Sequence, residues 1–259
     1  MTFLEALRLM RDPLPYRFVR LLVLVLCAVA YPAAAQQVVY VDVNATGPGQ
    51  DGATWCTAYR DLQDALAAAN PGDAIRVAEG VYRPDRETGF RTRNFRLISG
   101  VALYGGYAGC GAADPNAQDN VLYETILSGD LIGDDGPAFT NRGDNSYHVV
   151  TYDDPNATEV VLDGFTVSGG NADGTGSATT NQGGGIHIRN GTFKCFPGGP
   201  TIRNCIIEDN WAAHHGAVND HAAASVFENC TIRDNFAGQQ AGGLLIHNGN
   251  ATVVRNCTF

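Results

Sequence analysis

The pattern of apolar and polar positions changes character several times along the chain. Residues 21–30, LLVLVLCAVA, are continuously apolar. From Val38 apolar and polar residues alternate through VVYVDVNATG, which predicts a short strand running into a glycine turn. In TAYRDLQDALAAANPGD the apolar positions Tyr59, Leu62, Ala65, Leu66 and Ala69 recur at helical spacing. That predicts one helix over 58–69, with Thr57 at its start and Asn70-Pro71-Gly72 ending it. Everything beyond reads as short strands punctuated by Gly, Asn and Asp, such as AIRVAEGVY, NFRLISGVALYGGY and EVVLDGFTVSGG.

The later strands repeat. VLDGFTVSGGNA (161–172), TIRNCIIEDNWA (201–212), VFENCTIRDNFA (226–237) and VVRNCTF (253–259) align without gaps. One column holds Gly164, Asn204, Asn229 and Asn256, at intervals of 40, 25 and 27 residues; the next holds Phe165, Cys205, Cys230 and Cys257. Between these segments a second element recurs, GGGIHI, HGAVND and GGLLIH. A period near 25 means stacked coils. Leucine-rich repeats need leucine at several places per repeat, yet 160–259 contains only Leu162, Leu244 and Leu245. Short β-branched strands joined by Gly and Asn turns instead predict an all-β fold, a right-handed parallel β-helix with one N-terminal capping helix. In such a stack every column sits above itself about 4.8 Å apart. Asn suits a corner because it tolerates left-handed backbone geometry, and stacked Asn side chains bond to one another and spare buried polar groups from going unpaired. The following Cys is expected to point inward, buried and reduced, with Ile207 and Ile232 facing the same way and Glu208 and Arg233 turned to water.

Composition supports a folded, water-soluble chain: 44% hydrophobic, 17% charged and 31 glycines. Arg8, Arg11, Arg17 and Arg20 precede the apolar run, and AAA at 33–35 fits signal-peptidase cleavage before Gln36. About ten apolar residues are too few to span a bilayer, so residues 1–35 are expected to be a cleaved signal peptide and the mature chain to hold no transmembrane helix. Its destination is then extracellular, the cell surface or the outer membrane. Without the leader, 13 basic residues stand against 25 acidic ones. That balance disfavours nucleic acid and anionic membranes as partners and gives no general attraction for a polyanion such as pectate. Cysteines Cys56, Cys110, Cys195, Cys205, Cys230 and Cys257 remain, with no CxxC spacing that would suit zinc. Cys56 and Cys110 lie outside the repeat columns and are the expected disulfide.

The cadence of GG followed by two aliphatic residues, alternating with segments ending in Asn, resembles the repeats of chlamydial polymorphic outer-membrane proteins. More widely the chain is similar to exported pectin-lyase-like β-helix proteins. The opening YVDVNATGPGQDGATWCTAYRDLQDALAAANPGDAIRVAEGVY resembles their N-terminal region, and LDGFTVSGGNADG their first regular rung. The resemblance implies an N-terminal cap over 36–110, made of a strand, the capping helix with Leu62 and Leu66 laid across the open end of the stack, and the first rungs, followed by β-helix repeats over 111–259. Phe259 falls at an inward column in mid-strand, so the expectation is a fragment of a longer protein.

Candidate chemistry is sparse. Asp209 and Asp234 share a column and suit paired carboxylates or calcium, but "DN" pairs are first of all turns. Asp130, Asp134, Asp135 and Asp144 crowd 129–145 without the calcium-loop pattern, which leaves calcium as the one cofactor to consider. His214, His215 and His221 cluster in one repeat and read as exposed turn residues rather than metal ligands. The Asn-x-Thr sites at Asn44, Asn156, Asn190, Asn229, Asn250 and Asn256 read as turns and ladder positions. No catalytic or metal residue is assigned. The sequence predicts an exported, non-enzymatic scaffold that binds extracellular carbohydrate or protein along its flank; the alternative is a polysaccharide lyase or hydrolase, against which stands the absence of any visible cluster of basic residues.

Overall fold

The computed structural model describes residues 36–154, 159–176, 179–189, 198–221, 224–247 and 251–259. The expected leader, Cys195 and the Asn156, Asn190 and Asn250 sites lie outside the described residues. Gln36–Phe259 forms one compact unit, wound as a coil whose strands stack into parallel sheets. The first sheet runs β1 (Val38–Val41), β2 (Ala74–Ala78), β5 (Ala102–Tyr107), β8 (Val161–Asp163), β12 (Thr201–Arg203), β16 (Val226–Glu228) and β20 (Val253–Arg255). The second stacks β3 (Gly80–Tyr82), β6 (Thr125–Ser128), β9 (Thr166–Ser168), β13 (Ile206–Glu208) and β17 (Thr231–Arg233). The third stacks β4 (Phe95–Arg96), β7 (Val150–Tyr152), β11 (Ile186–Arg189), β15 (Val218–His221) and β19 (Leu244–His247). A narrow ribbon of β10 (Asn171–Ala172), β14 (Trp211–Ala212) and β18 (Phe236–Ala237) runs between the second and third.

Register is exact where the repeats align: Thr201 pairs with Val161 and Val226, and Ile207 with Val167 and Ile232. Inward columns therefore stack like on like. Ile75, Leu103, Leu162, Ile202 and Phe227 form one fully buried file, each side chain contributing about 1.5–3 kcal/mol by leaving water. Cys205 and Cys230 are buried and free, as expected, whereas Cys257 on the last rung is only half-buried. Burial pushes the Cys205 thiol well above its ordinary value. Strands before Val161 already keep the coil's register, with Ala102 beneath Val161 and Leu127 beneath Val167. Regular winding thus begins well before the LDGFTVSGGNADG segment, and strands on both sides of residue 110 share every large sheet.

Helix α1 is shorter than the spacing suggested, Leu62–Ala68, and Asp61 rather than Thr57 caps it by accepting from Gln63 N. Thr57 closes a 3-10 turn, Trp55–Thr57, and Tyr59 bridges to Val41 as a strand residue. The helix packs on β1, β2 and β4, with Leu62 and Leu66 buried at that end of the core. Cys56 and Cys110 are bonded, Cα atoms 4.9 Å apart, beside a small second core of Trp55, Ala78 and Tyr107.

The Asn column behaves as expected in backbone but not in burial. Asn204, Asn229 and Asn256 take φ of 52°, 54° and 53°, yet all three are exposed. Asn229 Nδ2 donates to Asn204 Oδ1 at 3.2 Å, and Asn204 Nδ2 to Asp163 Oδ1 at 2.7 Å. Gly164 holds this corner one rung earlier, because a Cβ there would lie 2.6–2.9 Å from the Asn120 side chain. The interior ladder is the other Asn of the repeat. Asn210 is fully buried; it donates to Val167 O and Glu208 O, accepts from Gly170 N at 2.9 Å, and contacts Asn235 Oδ1 through both its backbone and side-chain nitrogens. Asn235 repeats the pattern toward Ile207 O and Arg233 O.

Two tests of stability follow from these contacts. Asn210→Ala strands buried carbonyls and the Gly170 amide and is expected to cost about 2–4 kcal/mol by denaturant unfolding. Asn229→Gly, exposed and in a left-handed corner, is expected to stay within about 1 kcal/mol; equal losses at both sites would contradict the assignment. The bond between Cys56 and Cys110 closes a separation of 54 residues. Its removal by Cys56→Ser with Cys110→Ser is expected to cost about 4 kcal/mol, and peptide mapping of unreduced protein should recover the linked pair.

Candidate functional site

Topology decides where function can sit. In the repeats the corners between the first and second sheets are tight, two residues such as Asn204-Cys205 separating the strands, whereas residues 108–124 lie between β5 and β6. Between the second and third sheets the chain makes longer excursions, residues 83–94, 129–149 and 169–185. The loops of one flank are thereby brought together, and they bind one another. Arg91 Nε donates to Asn145 O at 2.6 Å, and its Nη2 reaches Asn171 O and Asp173, so one side chain ties three coils.

The acidic residues of 129–145 fall on this flank. Asp130, Asp134 and Asp144 each bring a carboxylate oxygen within 4.8 Å of the others. Asp130 accepts from the amides of Gly133, Asp134 and Asp135, and Asp144 from that of Ile132, so the loop's own turns gather them. Exposed carboxylates commonly cluster without an ion, and the arrangement by itself assigns no ligand. Asp135 turns away to Asn145 Nδ2 at 2.8 Å and Arg142 at 3.6 Å, and burial raises its pKa above the usual carboxylate value. Asp209 and Asp234 are exposed corner residues with φ of 52° and 53°. Their place is that of the turn reading.

Two features of the flank escaped the sequence. Trp211 and Phe236 occupy one column of the narrow ribbon, rings 6.2 Å apart and 15° from parallel, and Phe139 from the acidic loop tilts against Phe236 at 6.1 Å. The signal was present as the aromatic after each "DN" pair. Second, Arg86, Arg93 and Arg96 line one cleft of about 590 Å³ with Gln63, Thr92 and Asn94. Residues spread over 83–96 meet there because the loop folds back on α1, but Asp85 lines the same cleft and two of the three arginines are paired with carboxylates. Arg86 pairs with Asp61 and Asp64, and Arg96 with Asp153 at 2.6 Å.

The histidines also differ from expectation. His214 bonds Gln239 Oε1 at 3.0 Å with its ring 6.4 Å from that of His215, while His215 is buried rather than exposed. A shallow cleft of about 150 Å³ on the third sheet is lined by His187, His215, His221 and His247 together with Asn219 and Arg189. His187 stacks on His148 at 4.6 Å, and burial, with smaller effects from His148 and Arg189, pushes its pKa down to about 3. His148 spans from Gly183 O (2.9 Å) to Thr179 O (2.6 Å), tethering the neighbouring loop.

The coil is a right-handed parallel β-helix. Residues 142–259 match the family model of the right handed beta helix region. No curated protein and no solved structure matches the chain. No helix among the described residues is long and apolar enough to cross a membrane.

The depressed His187 gives a pH dependence of known sign. The unfolded chain takes up a proton near pH 6.5 that the folded ring refuses until about pH 3. Stability therefore falls as pH drops below about 6.5, by about 2 kcal/mol between pH 7 and 5 from this group. Denaturant unfolding at the two pH values checks this, and His187→Asn is expected to reduce the dependence without abolishing it, since burial also lowers the pKa of His148.

Proposed function

We propose that this protein is an exported β-helix scaffold that binds extracellular carbohydrate, acidic sugars in particular, along its loop-bearing flank. The observation that carries this reading is the cleft where Arg93 stands with Gln63, Thr92 and Asn94, beside Arg86 and Arg96, which are held by Asp61, Asp64 and Asp153. Guanidinium forks match carboxylates in two parallel hydrogen bonds, and Thr92, Asn94 and Gln63 are the kinds of side chain that meet sugar hydroxyls. The aromatic column of Trp211 and Phe236 adds an apolar surface on the same flank, suited to sugar rings or to a protein partner. Export rests on the leader pattern of residues 1–35, and the likeness to pectin-lyase-like and chlamydial surface proteins on the repeat cadence. Placement at the cell surface or in the medium belongs to the same proposal. The arginine cleft also favours the second reading, a lyase of acidic polysaccharide, since such an enzyme must hold a uronate.

Affinity electrophoresis through gels containing polygalacturonate, alginate or neutral xylan separates the readings. The expected result is retardation by an acidic polysaccharide only, reduced at least fivefold by Arg93→Ala, with no rise in unsaturated product absorbance. Product formation would establish the lyase. Migration unaffected by every polysaccharide would overturn carbohydrate binding.

A further inference from the structure

Two columns stand side by side on the third sheet: Thr151, His187, Asn219 and Leu245 in one, Arg189, His221 and His247 in the other. The alternate positions Ile186, Ile188 and Val218 belong to the main core, so these columns point outward. With His215 and Gln182 they line the cleft of about 150 Å³, and no acidic residue lines it, although the chain carries 27 acidic residues against 17 basic ones. The carboxylates of these strands and their ends are engaged elsewhere. Asp220, in register with Ile188, is buried and accepts from Thr252 Oγ1 at 2.7 Å, and Asp153, just beyond β7, pairs with Arg96.

We propose that this cleft binds a small oxyanion, a sulfate or phosphate group, as the free ion or as an ester at the edge of a larger molecule. Arg189 is exposed at the rim, and its guanidinium is charged at every working pH. Asn219 settles where the protons of its neighbours sit. Its Nδ2 donates to His187 Nδ1 at 3.4 Å, which puts the His187 proton on Nε2, and that nitrogen is buried with no hydrogen-bond partner. The cleft wall is therefore short of an acceptor. Asn219 Oδ1 accepts from His215 Nδ1 at 3.3 Å, a bond that survives when His215 takes a second proton. The rings of His221 and His247 lie 5.0 Å apart and those of His215 and His247 6.4 Å apart. A tetrahedral oxyanion takes its donors from separate directions, so such spacing suits it without any side chain turning. The cleft admits one such group and little more.

The groups around the cleft hold down one another's charge. Burial first, then His214, His247 and His221, lower the pKa of His215; burial first, then His247 and Arg189, lower that of His221. His148, stacked on His187, is itself lowered by burial, and His187 at about 3 stays neutral throughout. A dianion in the cleft reverses the sign of these effects and raises His215 and His221, so protons bind with it. Affinity accordingly rises as pH falls below about 6.5 and is weak above it. The site shares no residue with the arginine cleft and does not depend on the sugar-binding reading.

The test is isothermal titration of the untagged full chain with sodium sulfate at pH 5.5 and 7.5, ionic strength being held constant with sodium chloride. Sulfate keeps both charges across this range. One equivalent bound at pH 5.5, at least tenfold weaker binding at pH 7.5, and a heat that varies with the ionisation enthalpy of the buffer are expected. Arg189→Gln should weaken binding at least tenfold at pH 5.5, and His221→Gln with His247→Gln should bring the ratio between the two pH values below threefold. Arg189 and His247 are exposed, and circular dichroism should verify that these variants keep the fold. In the native protein, proton resonances of the His215 and His221 rings should titrate at higher pH with sulfate than without it. Arg93→Ala should change none of this, which separates the site from the arginine cleft. Sulfated dextran binding more tightly than inorganic sulfate at equal sulfate concentration would identify an ester on a polymer, and equal binding the free ion. No saturable binding at pH 5.5 overturns the proposal. So does an affinity indifferent to pH or to Arg189→Gln, since either describes an adventitious ion only.

Discussion

The whole architecture rests on sharp corners. A coil of three short strands closes only if the backbone reverses within two residues, and that demands a left-handed conformation which most L-residues resist. Asn204, Asn229 and Asn256 meet the demand at one corner, and Asp209 and Asp234 at the next. Once the corners are fixed, each strand lies on its predecessor in register, and the backbone bonds from coil to coil form without search. Asn210 and Asn235 then complete the second corner from inside by satisfying the carbonyls that the turn leaves pointing into the core.

Charge reinforces the same register from outside. Up one outward column stand Asp163, Arg203, Glu228 and Arg255, alternating in sign, with ion pairs of 2.7 Å and 2.9 Å between rungs. Glu208 and Arg233 repeat the device on the second sheet. Such exposed pairs add little to stability, but a slip of one residue would turn every one of them toward the core and every aliphatic to water. The columns thus specify alignment more than they supply energy.

Much of this was legible in the sequence because a repeat displays its own constraint several times. The spacing of Asn204, Asn229 and Asn256 implied stacking, left-handed corners and inward cysteines, and Cys56 with Cys110 stood out by lying off the columns. What escaped has a common cause. The burial of Asn210 beside the exposure of Asn204, the cap at Asp61 instead of Thr57, and the meeting of Arg86, Arg93 and Arg96 all depend on how irregular segments fold back, and no periodicity announces that. The histidine cleft was half visible. His215 and His221 share a repeat, but His187 and His247 join them only through the lateral pairing of three strands, and His214, adjacent in sequence, does not line the cleft.

The covalent link between Cys56 and Cys110 takes on another meaning when the coil is considered as an object under tension. A stack joined only to its neighbours yields to a pull on its distal end one turn at a time, like rope paid out from a spool, because each turn is held by the one beneath it. Such unwinding would proceed easily down the later coils. It would halt where the sulfur bridge closes residues 56–110, β2 and β5 among them, into a covalent ring. A molecule pulled by flow or by an attached neighbour would lengthen without losing its founding turns, and the retained turns would serve as the template on which the released chain rewinds when the load is gone.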